Sequence, residues 1–146
     1  MKISISRTLL ALAPSVLAAC TAATTISTPQ SEVAVRIRDK SYATLPASDK
    51  VPTTSFGNFE FKAEQAGQEP FYGVLPLKFN GGYLALDILF CAPAMFFNLR
   101  GAFPEYQLDM EKRVVRYRAG TAANWMEHQP SPAETERSKR YFGGAP

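Results

Sequence analysis

The strongest constraint on the fold is an alternation of apolar and polar side chains with a period of two residues. Val33, Val35 and Ile37 alternate with Ala34 and Arg36, and residues 59–64 repeat the pattern. This spacing places the apolar side chains on one face of a β-strand. The chain of 146 residues has the length of a single domain. We therefore predict a mainly β domain, a small antiparallel β-sandwich or sheet.

Three further segments extend this prediction. Residues 71–79 read as another strand, in which Pro76 indicates an edge position or a bulge because proline donates no ladder hydrogen bond. Residues 106–110 and, more loosely, 112–118 alternate as well. Residues 41–54 contain two prolines, and we predict turns there. The β-rich domain is expected to extend over residues 32–118.

The two segments that flank this domain have a different composition. Residues 20–31 are small and polar, which is typical of a flexible tether. Residues 119–146 carry mixed charges and prolines, so we expect a disordered tail with one short helical turn at 133–139. The side chains of the tail expected to dock on the domain are Trp125, Tyr141 and Phe142.

Residues 83–99 form the most apolar part of the chain after its N-terminus, and we call them the apolar segment. It carries one charge, Asp87, and a central Pro93 that would kink a helix. We expect a short helical hairpin, because a straight spanning helix needs about 20 residues. The hairpin either covers the open face of the sheet as core or contacts a membrane or a partner. The residues expected to make such a contact are Leu86, Leu89, Phe90, Met95, Phe96 and Phe97.

The N-terminus has the pattern of an export signal. Lys2 and Arg7 are followed by an apolar stretch over residues 8–19 that is too short to span a bilayer. The motif Leu17-Ala18-Ala19-Cys20 resembles the lipobox of bacterial lipoproteins. The resemblance implies that residues 1–19 are removed as a signal peptide. It also implies that the Cys20 thiol receives a diacylglyceryl group and that its new amino group is acylated, so that palmitate or similar chains anchor the protein in a membrane.

The residue after Cys20 bears on the compartment. Thr21 stands where an aspartate would favour retention in the inner membrane. The resemblance therefore implies that the protein lies in the outer membrane with its domain facing the periplasm. Exposure of the domain on the cell surface is the alternative. The alternative to a lipobox is an ordinary signal peptide. A Cys20–Cys91 disulfide is then possible in the oxidising compartment. If Cys20 is acylated, the apolar neighbours of Cys91 indicate a buried, unreactive thiol.

The middle of the chain is similar to the PEGA-type module, a small β-sandwich of exported proteins. The resemblance is carried by Val51-Pro52-Thr53-Thr54, by residues 57–64 and by Gly67-Gln68-Glu69, and it covers about residues 33–79. The Pro-Glu-Gly-Ala tetrad itself is missing, and Gln68 stands where an aromatic residue is usual. Small lipoproteins with such a sheet continue into an apolar hairpin, which corresponds here to the apolar segment.

The charge balance excludes one class of partner. Removing Lys2 and Arg7 from the 16 basic residues leaves 14 against 13 acidic ones, so no basic field remains for binding nucleic acid. A cluster of four cations lies near the last predicted strand. It is either a solvated face or a contact for lipid phosphates. Its members are Lys112, Arg113, Arg116 and Arg118.

The chain contains few residues that could carry out catalysis. The single histidine, His128, lies in the polar tail, and there are only two cysteines, so we predict neither a catalytic triad nor a metal or cofactor site. We expect a non-enzymatic binding or structural module of the cell envelope, whose partner is an envelope protein or a lipid. The alternative is a small carboxylate-dependent envelope hydrolase, which would require Glu60, Asp87 or Glu105 to converge in one cleft.

Overall fold

The computed structural model describes residues 21–52, 58–79 and 100–143. These residues form eleven strands and one helix, which confirms the mainly β prediction. The elements are β1 (Thr21–Ser27), β2 (Val33–Ile37), β3 (Lys40–Tyr42), β4 (Ala47–Pro52), β5 (Glu60–Gln65), β6 (Phe71–Val74), β7 (Leu77–Phe79), β8 (Arg100–Ala102), β9 (Glu105–Asp109), β10 (Val114–Arg118), β11 (Met126–His128) and α1 (Pro132–Tyr141).

A five-stranded sheet has the order β11-β10-β9-β1-β4. In it β1 runs antiparallel to β4, with Thr21 opposite Pro52, and parallel to β9, with Thr25 opposite Glu105. The parallel pair is a departure from the purely antiparallel arrangement that we predicted. It places the first described strand inside the sheet, between two neighbours.

The prediction of a flexible tether over residues 20–31 is therefore wrong for its described part. Three consecutive β-branched residues, Thr24 to Ile26, favour a strand despite the small polar composition around them. Ile26 is only 1% exposed, and burial of its side chain outweighs the weak hydrophobicity of its neighbours. Beyond the strand, Gln30 donates a hydrogen bond of 3.0 Å to Asp109, so the connection to β2 is fixed as well.

A four-stranded sheet has the order β3-β2-β5-β6. The predicted alternation in β2 is confirmed: Val33, Val35 and Ile37 are buried, and the two residues between them are exposed. The prediction of turns over residues 41–54 is wrong in part, because β3 and β4 lie there. Both are edge strands, and Pro52 is the last residue of β4, so the proline ends the strand without disrupting a ladder.

The two sheets pack face to face as a sandwich. Residues opposite each other across a ladder share a face, so Ile26, Tyr106 and Val115 project together from the five-stranded sheet. They meet Val35 and Phe61 of the other sheet in one apolar core. A two-stranded antiparallel sheet of β7 and β8 lies beside the sandwich. The predicted strand over residues 71–79 is divided into β6 and β7 at Leu75 and Pro76, as the proline indicated.

The prediction of a disordered tail over residues 119–146 is wrong for residues 119–143. After β11 the chain forms α1, which is longer than the single turn predicted at 133–139. Ser131 caps the helix, and its backbone and hydroxyl are bonded to Glu134 in a capping box. These polar residues had suggested disorder, although in this spacing they begin a helix.

The helix packs on the outer face of the four-stranded sheet. Ser138 is fully buried and donates a hydrogen bond of 2.6 Å to the Phe61 carbonyl. Glu60, whose side chain points away from the core side occupied by Phe61, pairs with Arg137 of the helix. The docking predicted for the aromatic residues is also confirmed. Trp125 lies under Arg118, Tyr141 donates a hydrogen bond to Asp39, and Phe142 lies under Arg36.

Several predictions concern residues outside the described ranges. These are the signal peptide over residues 1–19, acylation at Cys20, the helical hairpin of the apolar segment, and the contact residues Leu86, Leu89, Phe90, Met95, Phe96 and Phe97. Within the described ranges, no helix is long and apolar enough to cross a membrane.

Candidate functional site

The candidate site is a cavity between the two sheets, on the side where the edge strands β3 and β4 lie. Its volume is about 240 Å³, and we call it the inter-sheet cavity. An apolar cavity with a few convergent polar groups is the usual form of a small-molecule site. Most of its wall is apolar and comes from both sheets and from the chain beside β7 and β8. The main apolar lining residues are Ile26, Ile37, Val51, Phe59, Leu75 and Tyr106.

Five polar residues line the same cavity and are more exposed than its apolar wall, and we call them the mouth: Arg38, Asp39, Lys40, Tyr42 and Asp49. Asp49 is at the centre of this group. Its Oδ2 accepts hydrogen bonds of 2.6 Å from Lys40 Nζ and 2.6 Å from Tyr42 Oη. The Lys50 amide donates to the other oxygen at 2.7 Å. The carboxylate therefore joins β3 of one sheet to β4 of the other.

These contacts shift the proton equilibria of the mouth. The hydrogen bonds from Lys40 and then from Tyr42 hold the pKa of Asp49 below its usual value of 3.8. Burial, followed by the hydrogen bond to Asp49, raises the pKa of Tyr42 above its usual value of 10.0. At neutral pH the pair is thus a carboxylate and a neutral phenol, and the carboxylate is already satisfied by its own neighbours.

The floor of the cavity is fixed by Tyr106. Its hydroxyl donates a hydrogen bond of 2.6 Å to the Pro76 carbonyl and accepts one of 2.9 Å from the Phe103 amide. Burial raises the pKa of Tyr106 above its usual value of 10.0. The phenol therefore links β9 to the chain just before β7 and just after β8, and it gives the cavity a rigid wall.

Arg38 differs from the other charged residues of the mouth. It is held at the β2–β3 turn with a positive φ of 50°, and its amide donates a hydrogen bond of 2.9 Å to the Glu60 carbonyl. Its guanidinium carbon lies 5.6 Å from the ring centre of Phe59, a residue of the cavity wall. Among the described residues, no carboxylate lies within ion-pair distance of this guanidinium.

The carboxylates suggested for a hydrolase do not converge. Glu60 faces α1, whereas Glu105 lies on β9 of the other sheet, next to the inward-facing Tyr106, and therefore faces outward. Each is bound to a cation: Glu60 to Arg137 and Glu105 to Arg118, with Nε–Oε distances of 2.8 Å in both pairs. The third carboxylate of that prediction, Asp87, lies outside the described residues.

The predicted basic cluster is largely neutralised within the domain. Arg113 Nη1 lies 3.6 Å from Glu69, Arg116 pairs with Glu127 at 3.1 Å, and Arg118 pairs with Glu105. Trp125 lies below two of these guanidinium groups. The cluster is therefore a partly solvated strand face whose arginines form ion pairs with carboxylates of the same domain. His128 Nε2 lies 3.3 Å from Glu134 Oε2, and the described ranges contain no group of three residues that could hold a metal ion.

The mouth is not apparent from the sequence, because the two prolines within residues 41–54 favour turns there. Tyr42 and Asp49 looked unrelated there, and only the pairing of Asp49 with Thr24 across β4 and β1 shows that its side chain shares the inner face. The chain matches no family model, no curated protein and no solved structure. The similarity of residues 33–79 to PEGA-type modules stays a prediction.

Proposed function

We propose that this protein is a lipid-anchored lipoprotein of the cell envelope, held at the periplasmic face of the outer membrane, and that its β-sandwich is a binding module. The observation that carries the proposal is the motif Leu17-Ala18-Ala19-Cys20 directly before the folded domain. In lipoproteins this cysteine becomes the acylated first residue. Two or three acyl chains are sufficient for stable membrane attachment.

The position of β1 gives this anchoring a geometric consequence. The strand begins at Thr21, one residue after Cys20, so no linker separates the acylation site from the sheet. One extended residue spans about 3.3 Å. The end of the sandwich that contains Thr21 and its partner Pro52 would then lie against the headgroups. A module held so closely acts on what is present at the membrane surface.

The apolar segment supports the same proposal. It connects β7 to β8, and β8 packs against both β1 and β4. In the proposed arrangement the segment leaves the domain near the anchored end and provides the second contact, with lipid or with an envelope protein, through residues such as Leu86, Phe90 and Phe96. A large exposed apolar patch is typical of such contact sites.

The test compares the wild type with a Cys20→Ser variant in a Gram-negative host. We expect the wild-type mature protein to carry the mass of its acyl chains by mass spectrometry and to float with outer-membrane vesicles. The Cys20→Ser protein should lack that mass. Cys91→Ser is the matched control, since it removes the other thiol and should leave acylation unchanged. An unmodified wild-type N-terminus would overturn the proposal.

The contribution of the apolar segment is measured on the unacylated protein, secreted behind an ordinary cleavable signal. If the segment contacts lipid, this protein still floats with vesicles at high salt, and a Phe90→Ser/Phe96→Ser variant does not. A protein that stays soluble and monomeric without its acyl chains would show that the segment belongs to the core. The Thr21→Asp variant of the acylated protein is expected to shift towards the inner membrane.

A further inference from the structure

We propose that the inter-sheet cavity binds a single medium-length acyl chain with a carboxylate head, and that Arg38 is the counterion of that head. This binding activity goes beyond membrane anchoring and does not depend on acylation of Cys20. The inference rests on the wall, the open side and the charges of the cavity, all of which involve described residues.

The wall selects an apolar ligand of limited size. Side chains of both sheets provide it, among them Ile26, Val51 and Phe59. Apolar cavities of this kind hold water poorly and bind apolar molecules instead. A cavity volume of about 240 Å³ provides space for a single acyl chain of medium length, whereas a two-chain phospholipid is too large for it.

The mouth is the side from which such a chain would enter, because the residues there are the more exposed part of the cavity lining. On the opposite side Pro130 packs against β6: a Cβ added at Gly73 would lie 2.6 Å from its ring and 2.8 Å from the Phe61 ring. The chain therefore crosses from β11 to α1 over that edge. The edges of β3 and β4 bound the cavity on the other side, where the mouth lies.

The charges of the mouth select the head group. Lys40 and Asp49 neutralise each other, and Asp49 also accepts from Tyr42. Asp39 makes no ion pair with a described cation, but its Oδ1 accepts a hydrogen bond of 3.0 Å from Tyr141 Oη, at the end of the helix that covers the outer face of the sheet. Arg38 is the cation of the mouth that makes no ion pair with any described carboxylate, and it lies over the ring of Phe59 in the wall. A guanidinium binds a carboxylate with two parallel hydrogen bonds. In an aliphatic carboxylate the apolar chain would contact the wall of the cavity, and the carboxylate would bind Arg38 at the mouth.

The test is a calorimetric titration of the full mature chain with octanoate. The protein carries Cys20→Ser, so that its own acyl chains are absent and cannot compete. We expect saturable binding of one octanoate per chain and binding of octylamine weaker by tenfold or more, since the ammonium group would face Arg38. Octanol should bind with intermediate affinity, because it keeps the apolar contact and loses the charge.

Two arginines of the same turn and strand provide matched variants. Arg38→Gln is expected to weaken octanoate binding by about tenfold and to leave octanol binding unchanged. Arg36→Gln removes the same charge from the outer face of β2, where the guanidinium lies over Phe142, and should change neither. Val51→Trp would fill the cavity from an edge strand and should abolish both. Thermal unfolding of each variant shows whether it folds.

Three results would overturn the proposal. The first is the lack of saturable octanoate binding by the folded protein, which would mean that other parts of the chain fill the cavity. The second is an equal loss of affinity in Arg36→Gln and Arg38→Gln, which would indicate general charge attraction. The third is unchanged binding by folded Val51→Trp, which would place the ligand elsewhere. Each of them leaves the acylation experiment at Cys20 unaffected, so the two proposals fail separately.

Discussion

The guanidinium Nε of Arg137 lies 2.8 Å from the Glu60 carboxylate, and this ion pair joins the C-terminal helix to the four-stranded sheet. The two partners differ in exposure. The Glu60 side chain is 7% exposed, whereas that of Arg137 is 53% exposed. The helix thus covers the carboxylate and supplies its counterion. A buried carboxylate without a counterion lowers the stability of a protein. The free energy of unfolding of the sheet therefore depends on the docked helix.

Replacement of Arg137 by methionine should therefore lower the free energy of unfolding by about 2–3 kcal/mol, because Glu60 stays buried without its counterion. Urea unfolding of the variant measures this loss. In the double variant Glu60→Gln/Arg137→Met the loss should be smaller than the sum of the two single losses. Additive effects would mean that the two charges do not interact in solution.

Ser138→Ala tests the neutral contact between the same two elements. The serine hydroxyl donates to the Phe61 carbonyl at 2.6 Å in a fully buried site, and its removal should cost about 1–2 kcal/mol. Ser48→Ala is a suitable control, because among the described residues this exposed hydroxyl bonds only to Thr25 Oγ1, at 3.1 Å, and its loss should cost less than about 0.5 kcal/mol. Equal costs for the two variants would contradict the assignment.

Gly73→Ala tests the crossing of the chain over β6. The added methyl group would lie 2.6 Å from Pro130 Cγ and 2.8 Å from two ring atoms of Phe61, so the variant should be destabilised by about 1–3 kcal/mol. Pro130→Ala removes one of the two obstacles. In the double variant the effect of the glycine substitution should shrink by at least about 0.5 kcal/mol. If the glycine substitution costs the same in both backgrounds, Pro130 does not pack there.

Tyr106→Phe tests the rigid wall of the cavity and also the response to alkaline pH. The pKa of Tyr106 is raised by burial in the folded protein, so the unfolded chain, with an ordinary tyrosine pKa of 10.0, loses this proton first as pH rises. Below the unfolded-state pKa of 10.0 the neutral phenol contributes its full stability to the folded protein. That contribution is lost progressively as the pH rises from 10.0 towards the raised pKa of the folded state. Wild-type unfolding midpoints in urea should hence fall steeply above about pH 10.

The phenylalanine variant should respond less steeply to that pH change, since one of the two described tyrosines with raised pKa values is gone and Tyr42 remains. At neutral pH the variant should be less stable by about 1–3 kcal/mol, because the Pro76 carbonyl and the Phe103 amide lose their partner. Parallel curves for the two proteins above pH 10 would rule out Tyr106 as a source of the alkaline loss.

The strands that bury one face were predictable from sequence, as the alternation in β2 and β5 illustrates. Their side-chain pattern is set by the sheet itself, so a local pattern is sufficient. β1 and β4 were missed because their pattern is weak. Thr24 and Asp49 occupy inward positions with polar side chains, and they are accommodated by hydrogen bonds to Phe103 and to Tyr42. Phe103 lies 79 residues after Thr24, whereas Tyr42 lies only seven residues before Asp49 but on a strand of the other sheet, so the local pattern identifies neither partner.

The helix and the mouth of the cavity illustrate the same limit. Ser131 and Glu134 have the spacing of a capping box, which is visible in the sequence and predicts the start of a helix. The prolines and charges around them are equally typical of a disordered tail. What decides between them is the docking of Ser138 and Arg137 on β5, about 77 residues earlier in the chain. The position of Arg38 at the cavity likewise depends on the packing of its guanidinium over the ring of Phe59, which the sequence does not predict.

The parallel pairing of β1 with β9 constrains the order in which the molecule can form. A ribosome makes β1 first, but Thr25 finds its partner Glu105 only after 80 more residues have been synthesised. Until then Ile26 has no neighbour on that side, and one edge of the strand is unpaired and prone to aggregation. The four-stranded sheet, whose strands pair within residues 33–74, can assemble earlier. We therefore expect chains truncated before β9 to form that sheet alone and to aggregate unless a holding chaperone binds them.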